Sequence, residues 1–480
     1  MLMTECKEEK LSFQAHGARV VEAAFDGGMI TTDGGALLLR ELELKQSMVS
    51  EFARCFTDYR DQQAIEFTAE ELLTQRVFGL VLGYEDLNDH DRLRVDPLLA
   101  TVCGRADPTG QDRRRGDDRG KPLAGKSTLN RLELRSGDPT RDQKYKQIEV
   151  DEEKVAEFFV AHFLKAQREI PWRIYVDLDA TDDRLHGAQE GAHYHGHYGD
   201  YCYLPLYLFC GDFLLCAKLR TADKEASHGA LAEIERIVKQ IRKRWPRTQI
   251  VIRGDSGFCR DEIQTWCESQ TDVYYIFGLA QNARLLRAIE KQQAQARLRY
   301  EISGGAARVF TEFRYRTQES WSRERRVIAK AEHLEKGANP RFIVTSLPEF
   351  ELDAKDEVTL LDARYLYEEV YCARGEMENR IKEQQLDLFA DRTSTHWLKS
   401  NQLRLWLASL GYLLLNEVRR LGLAGTPLAR AYCGTIRAEL FKIGARVRIS
   451  VRRIAVSLSI AYPRQELFRL VWRRLRAVEP

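Results

Sequence analysis

No stretch of the 480-residue chain reaches the roughly 18 uncharged apolar residues needed to span a bilayer. The opening residues, MLMTECKEEKLSF, also lack the charged-then-apolar order of a signal peptide. A cytosolic protein is therefore expected. None of the ten cysteines forms a CxxC pair, and several stand in apolar runs where a thiol acts as a small hydrophobe, so neither zinc fingers nor disulfides are indicated. The 12 prolines and 31 glycines are too few for a collagenous or disordered chain. No internal repeat or low-complexity tract is visible. What remains is an ordinary globular composition, 44% hydrophobic and 30% charged, in a chain long enough for three or four structural units around at least one substantial core. The formal net charge of +2 conceals an asymmetry. Residues 416–480 hold thirteen Arg and one Lys against four Glu, a net of +10, which leaves −8 for the rest. A polyanion partner for the C-terminal part follows as readily from that bias as a solvated helix face.

Periodicity divides the chain. Short strands and then helices occupy the first 150 residues, with helical spacing from Ile65 to Leu82 and a polar loop at 108–122. From Trp172 the pattern becomes a dense strand series, RIYVDLDA (173–180), YLPLYLFC (203–210) and FLLCAKLR (213–220), the last two split only by Gly211-Asp212. An amphipathic helix from about Ser227 to Trp245, a strand QIVIRG (249–254), a helix near Asp261–Ser269 and a strand VYYIFGL (273–279) follow. Three antiparallel strands, a crossover helix and a parallel strand predict an α/β fold, a ribonuclease-H-like mixed sheet with flanking helices. Strand alternation returns over 300–350, read as a β-rich insertion, and helices are expected over Tyr365–Phe389 and Trp397–Val418 before the Arg-rich end. The expected organisation is an N-terminal, mostly helical region (1–165), a first part of the core (166–280), the β-rich insertion (281–360), a core helix (361–395) and a C-terminal helical, Arg-rich region (396–480).

Two motif matches fail on context. GKPLAGKS (120–127) fits the phosphate-loop pattern, but QDRRRGDD before it cannot supply the required strand, and the following STLNRLE reads as a helix capped by Ser127 or Thr128. GDSG (254–257) resembles a serine-protease nucleophile loop, yet Phe258 replaces the next glycine and no His/Asp pair accompanies it. HYHGH is a sharper rival. On a strand, His193, His195 and His197 would share a face, as in some metallohydrolases, although the surrounding Gly and Tyr suggest a loop.

The fourth constellation is acidic. Asp177 and Asp179 share a strand face, and Asp255 terminates the strand expected beside it, so the two ends meet. Neighbouring carboxylates repel unless a proton or divalent cation shares the site, and an oxygen-only site favours Mg²⁺ or Mn²⁺. YCARGEMENRIKEQQLDLF (371–389) offers Glu376, Glu378 and Glu383 for a third carboxylate, or alternatively a salt-bridged surface helix with Glu378 and Lys382 at i,i+4.

These residues carry a resemblance. FDGGMITTDGGALLLRELE, LAGKSTLNRLE, VDLDATDDRLHGAQEG, IVIRGDSGF, YCARGEMENRIKE and the closing apolar-basic segment together resemble the DDE transposases of bacterial insertion sequences, specifically the 1380-type group in the class with a β-strand insertion before its glutamate. The likeness spans nearly the whole chain. It implies that the family's D-x-T aspartate is Asp179, its R-G-D-S-G-F aspartate Asp255 and its Y-x-x-R-x-x-x-E glutamate Glu378, separated by 76 and 123 residues. Two divalent ions held by Asp179, Asp255 and Glu378, roughly 3.5 to 4 Å apart, would activate water and stabilise the leaving 3′-oxygen. The freed 3′-hydroxyl would then join target DNA without a nucleotide cofactor. Tyr371 and Arg374 are implied contacts to the transposon end. The class carries a lysine seven residues past the glutamate, where this chain departs with Gln385. Lys382 completes the basic DNA-contact set. Trp321 could stack on a flipped terminal base, although a core Trp is the commoner case. Double-stranded DNA and a homodimeric synaptic complex are the implied partners. The rival readings are a histidine-metal phosphoesterase or nuclease and a non-catalytic DNA-binding protein.

Overall fold

The computed structural model describes residues 10–135, 147–352 and 358–479. They fall into two compact units, one built from residues 10–135, 147–149 and 410–479, the other from 150–352 and 358–409. Among the described residues no helix is long and apolar enough to cross a membrane.

The second unit is a mixed α/β structure around a nine-stranded sheet. In chain order its long elements are α1 (Glu152–Ala166), β1 (Arg173–Ala180), β2 (Leu206–Cys210), β3 (Phe213–Lys218), α2 (Ala230–Arg244), β4 (Gln249–Gly254), α3 (Asp261–Ser269), β5 (Val273–Leu279), α4 (Glu290–Ser303), β6 (Ala307–Tyr315), β7 (Arg325–Leu334), β8 (Arg341–Thr345) and α5 (Gly375–Lys382). The spatial order is β3-β2-β1-β4-β5-β8-β7-β6, with the two-residue strand Gly337–Ala338 attached to β7. Strand β2 runs antiparallel to both β1 and β3, whereas β4 and β5 run parallel to β1. Cys210 pairs with Phe213 across a two-residue turn in which Gly211 has φ +57°, the left-handed conformation that a tight hairpin demands.

Alternation along β1 decides which side chains meet which layer. Ile174, Val176 and Leu178 enter the larger core with Ile234, Ile237 and Ile241 of α2 and Val160 and Phe163 of α1. Tyr175 faces the opposite way, into a second core with Val251, Ile276, Leu366, Tyr367 and Val370. Asp177 and Asp179 stand on that second face, covered by the segment that carries Glu378. That segment is helical from Ala363 to Asp387, but its hydrogen bonding widens to π turns at Leu366–Tyr371 and Glu383–Asp387 on either side of α5.

The strands of the 281–360 segment continue the main sheet: β8 pairs antiparallel with β5, and β7 and β6 follow. They continue it because the edge of β5 would otherwise leave backbone groups unpaired. The segment also opens with a short helix, Ala283–Ala288, followed by α4, which packs on β6 and β7. Helix α1, grouped by sequence with the N-terminal region, packs instead on β3 and α2 in the second unit.

The first unit joins both ends of the chain. Its helix Ala69–Val81 opens with a capping box in which Thr68 Oγ1 accepts from the Glu71 amide at 3.1 Å and the Glu71 carboxylate accepts from the Thr68 amide at 2.9 Å. The helix of the phosphate-loop lookalike runs Lys126–Glu133 with Gly125 at its N-cap, not Ser127 or Thr128. An Asp91 carboxylate oxygen accepts from the Lys126 amide at 3.0 Å, which takes over the capping role from those hydroxyls. No strand leads into it. Strands Ile30–Thr31, Ala445–Ser450 and Arg453–Leu458 form a three-stranded sheet that joins the two chain ends.

Candidate active site

Parallel pairing of β1 and β4 sets Gly254 opposite Leu178, so the residue after each, Asp255 and Asp179, lies at adjoining strand ends. The Asp255 carboxylate accepts from the Gly257 amide at 2.8 Å, an Asx turn that ends the strand and fixes the side chain. Across β5, Phe277 pairs with Gly254, which brings Gly278 beside the same turn. A Cβ at Gly278 would lie 2.7 Å from the Tyr371 hydroxyl and 3.0 Å from the Ser256 amide nitrogen. Glycine is required there by close approach, and the contact places Tyr371 at the Asp255 turn.

Arg374 joins the remaining members. Its Nη2 donates to Glu378 Oε1 at 3.0 Å, and its Nη1 lies 3.6 Å from Asp179 Oδ2. Asp179 is largely buried while Glu378 is half-exposed. Burial pushes the Asp179 carboxyl up to about 6, with the charges of Asp255 and Glu378 adding to the rise and Arg374 opposing it. Asp177 has a different setting. Both its oxygens accept from Arg253, at 2.6 Å from Nε and 2.8 Å from Nη2, and the same guanidinium donates to the Val370 carbonyl at 2.6 Å and lies over Tyr175. Both oxygens of Asp177 are thus held in a buried bidentate pair with a dedicated counter-ion, unlike those of Asp179.

The donor set of Asp179, Asp255 and Glu378 is oxygen only, which suits a hard divalent cation. Among the described residues, however, no three His, Cys, Asp or Glu side chains are already drawn together around a metal position. The guanidinium of Arg374 supplies positive charge between Asp179 and Glu378 instead.

Other expected residues are placed as follows. Lys382 is exposed one turn beyond Glu378. Trp321 is not an open stacking platform: it is 3% exposed, edge-on to Tyr315 and with the Arg325 guanidinium over its ring, because its indole completes the larger core. The three histidines do not lie along one strand. The strand ends at His195, and the chain turns through Gly196 and Gly199, whose amide donates to the His195 carbonyl at 2.8 Å. His195 and His197 pack against Tyr198, whose hydroxyl donates to the Ala180 carbonyl at 3.3 Å, next to Asp179. The Tyr198 hydroxyl is pushed up to about 12 by burial first and by Asp182, Asp179 and Asp255 next.

Sequence reasoning missed Tyr198, Gly278 and the Arg253–Asp177 pair. Only the last left a signal, an arginine two residues before Asp255 in a strand expected beside the Asp177 strand. Gln385, the departure from the class, donates to Asp183 Oδ1 at 2.9 Å and to the Asp182 carbonyl at 3.2 Å. It ties the Glu378 segment back to the chain just after β1.

No curated protein matches the chain. A family model described as "Transposase DDE domain group 1" matches residues 13–480. Carboxylates at adjoining strand ends, a glutamate helix over the same sheet face and a match across almost the entire length lead to one conclusion: the chain belongs to the DDE transposases of that group.

Proposed function

We propose that this transposase cuts insertion-sequence ends and joins the freed 3′-hydroxyl to target DNA, with Asp179, Asp255 and Glu378 as its catalytic carboxylates on a ribonuclease-H-like core. The 1380-type group, the five-part domain scheme and a homodimeric synaptic complex on double-stranded DNA belong to the same reading. The observation that carries it is the convergence of Asp179 and Asp255 at neighbouring strand ends, with Arg374 linking Asp179 to Glu378.

Asp179, Asp255 and Glu378 would hold two Mg²⁺ or Mn²⁺ ions, which supply Lewis acidity for activating water and for offsetting charge on the departing 3′-oxygen. The chain's own residues prepare that chemistry. The Asx turn keeps the Asp255 carboxylate from rotating away, and Gly278 lets Tyr371 close over it. Arg374, now bonded to Glu378, can exchange that carboxylate for a phosphate oxygen, a geometry its planar fork suits. Tyr371, one turn earlier, presents its hydroxyl to the same backbone. Burial of Asp179 among like charges leaves it poorly neutralised by Arg374 alone, so a divalent cation would be held more strongly there than at a solvated aspartate.

The test is cleavage of end-labelled element-end duplex with Mg²⁺ by the wild-type chain and by Asp179→Asn, Asp255→Asn and Glu378→Gln. Each substitution is expected to lower cleavage by at least about 10³-fold, while Asp177→Asn destabilises without a comparable loss in the folded fraction. Full activity in any one of the three removes that residue from the triad.

A further inference from the structure

We propose that the two-stranded ribbon Ala445–Ser450/Arg453–Leu458 is a docking surface for duplex DNA, with Arg446, Arg448, Arg452 and Arg453 on backbone phosphates. The proposal rests on the transposase reading and assigns it a surface on the unit that does not carry the three carboxylates. The ribbon and its turn contain four arginines, and no acidic residue occurs between Glu439 and Glu466. Register sorts the side chains. Leu458, Val456 and Ile454 pair with Ala445, Val447 and Ile449, whereas Ser457, Ala455 and Arg453 pair with Arg446, Arg448 and Ser450. Side chains opposite one another share a face, so one face is apolar and the other basic. Ala445 and Val447 on the apolar face are buried, while Arg446, Arg448 and Arg453, and Arg452 in the turn, are exposed.

These four arginines make no ion pair or side-chain hydrogen bond among the described residues. Other arginines nearby are engaged: Arg464 pairs with Glu439, Arg469 with Glu466, and Arg474 donates to the Gly422 and Ala424 carbonyls. Four unmated like charges repel one another, a cost that a polyanion would remove. The spacing also suits DNA. Arg446 and Arg448 are two residues apart on a strand, about 6.8 Å, which matches two of the roughly 3.4 Å axial steps between phosphates of one DNA strand. A two-stranded ribbon is also an element that the major groove admits.

The ribbon is held in place by the FDGGMITTDGG motif, to which the active site gave no role. Ile30 and Thr31 pair with Arg446 and Ala445, the Val447 amide donates to the Met29 carbonyl at 2.8 Å, and the Gly34 amide donates to the Ile443 carbonyl at 2.8 Å. Lys442 forms an ion pair with Asp33 at 2.7 Å. A Cβ at Gly34 would lie 2.7 Å from both the Ile443 carbonyl oxygen and the Leu458 side chain, so a glycine is needed where the motif passes beneath the ribbon. The basic face is thereby presented on a fixed support, which lowers the ordering cost of binding.

The experiment is fluorescence anisotropy of the full chain with a labelled mixed-sequence duplex, the matching single strand and anionic lipid vesicles, each over a range of salt. Compared are wild type, the triple variant Arg446→Gln/Arg448→Gln/Arg453→Gln, its charge-keeping Lys counterpart and an exposed-cation control, Arg247→Gln/Lys291→Gln. The triple Gln variant should bind duplex at least tenfold more weakly at 0.1 M salt, with a slope of log affinity against log salt shallower by about 2 to 3, since each released phosphate contact is worth about 0.9. The Lys counterpart and the control should keep the wild-type slope, and all variants should melt with wild type. Wild-type affinity and slope in the triple Gln variant would overturn the proposal, as would a loss confined to the single strand or to vesicles. Cleavage by Asp179→Asn, Asp255→Asn and Glu378→Gln, measured separately, decides the active-site reading, so either reading can fail while the other stands.

Discussion

Asp177 and Asp179 share one face of β1, yet only Asp177 has a dedicated counter-ion, Arg253, which takes both its oxygens. Asp179 has Arg374 at 3.6 Å and two acidic neighbours, and its carboxyl is pushed up to about 6 from an ordinary 3.8. The sign of the stability effect follows. Between those values the folded chain binds more protons than the unfolded one, so stability falls as pH rises through that window and remains lower above it. Asp179→Asn cannot ionise and should remove the penalty, making the folded chain more stable than wild type by on the order of 1 to 2 kcal/mol at pH 7.5, with no difference near pH 4. Urea denaturation of both proteins from pH 4 to 8 checks this, and a gap that does not widen with pH would rule it out. The pairing of Asp177 with Arg253 was partly legible, because opposite charges at matching strand positions are a sequence feature. The position of Tyr198 was not, since a loop tyrosine after two histidines has no periodicity to say where the loop folds.

The element that carries Glu378 is helical from Ala363 to Asp387, and its contacts are decided by neighbours distant in sequence. Gly278 is one of them, with no room for a Cβ beside Tyr371. Gly278→Ala should force the Tyr371 hydroxyl or the Ser256 amide to shift and lower DNA cleavage by on the order of 10²-fold while circular dichroism stays unchanged. The same substitution in a Tyr371→Phe background should cost much less, because the nearest atom is gone, and a double-mutant cycle of cleavage rates measures that coupling. Additive effects would exclude the contact as the cause. Sequence periodicity predicted a helix over this segment, but not the π turns that flank α5, because a widened turn keeps nearly the same residue pattern. Gln385 likewise read only as a departure from a family lysine. Its bond to Asp183, whose buried carboxyl is pushed up to about 8 chiefly by desolvation, becomes visible only when the chain after β1 meets the chain after α5.

At the scale of the molecule, one compact unit is assembled from both ends of the chain. Truncation after Ser409 would remove Lys442 from Asp33, the Ile443 carbonyl from the Gly34 amide and the strand that pairs with Ile30–Thr31. Limited proteolysis of that truncated chain should cut within residues 10–135 much faster than in the full chain, whereas residues 150–352 keep their protection. Equal protection of both would show that the N-terminal segment folds without the C-terminal one. Local pattern alone determined the strand series of the second unit, its antiparallel and parallel senses and the two-residue hairpin at Gly211, because alternation and turn chemistry act over a few residues. It also marked the arginine excess near the C-terminus, since charge is additive along a chain. Tertiary structure alone decided that the insertion strands prolong the main sheet, that Trp321 is buried, that Arg374 bridges Asp179 and Glu378, and that Gly34 supports an arginine ribbon more than 400 residues away. Those outcomes depend on which surfaces meet after the chain has closed on itself, and no window of neighbouring residues contains that information.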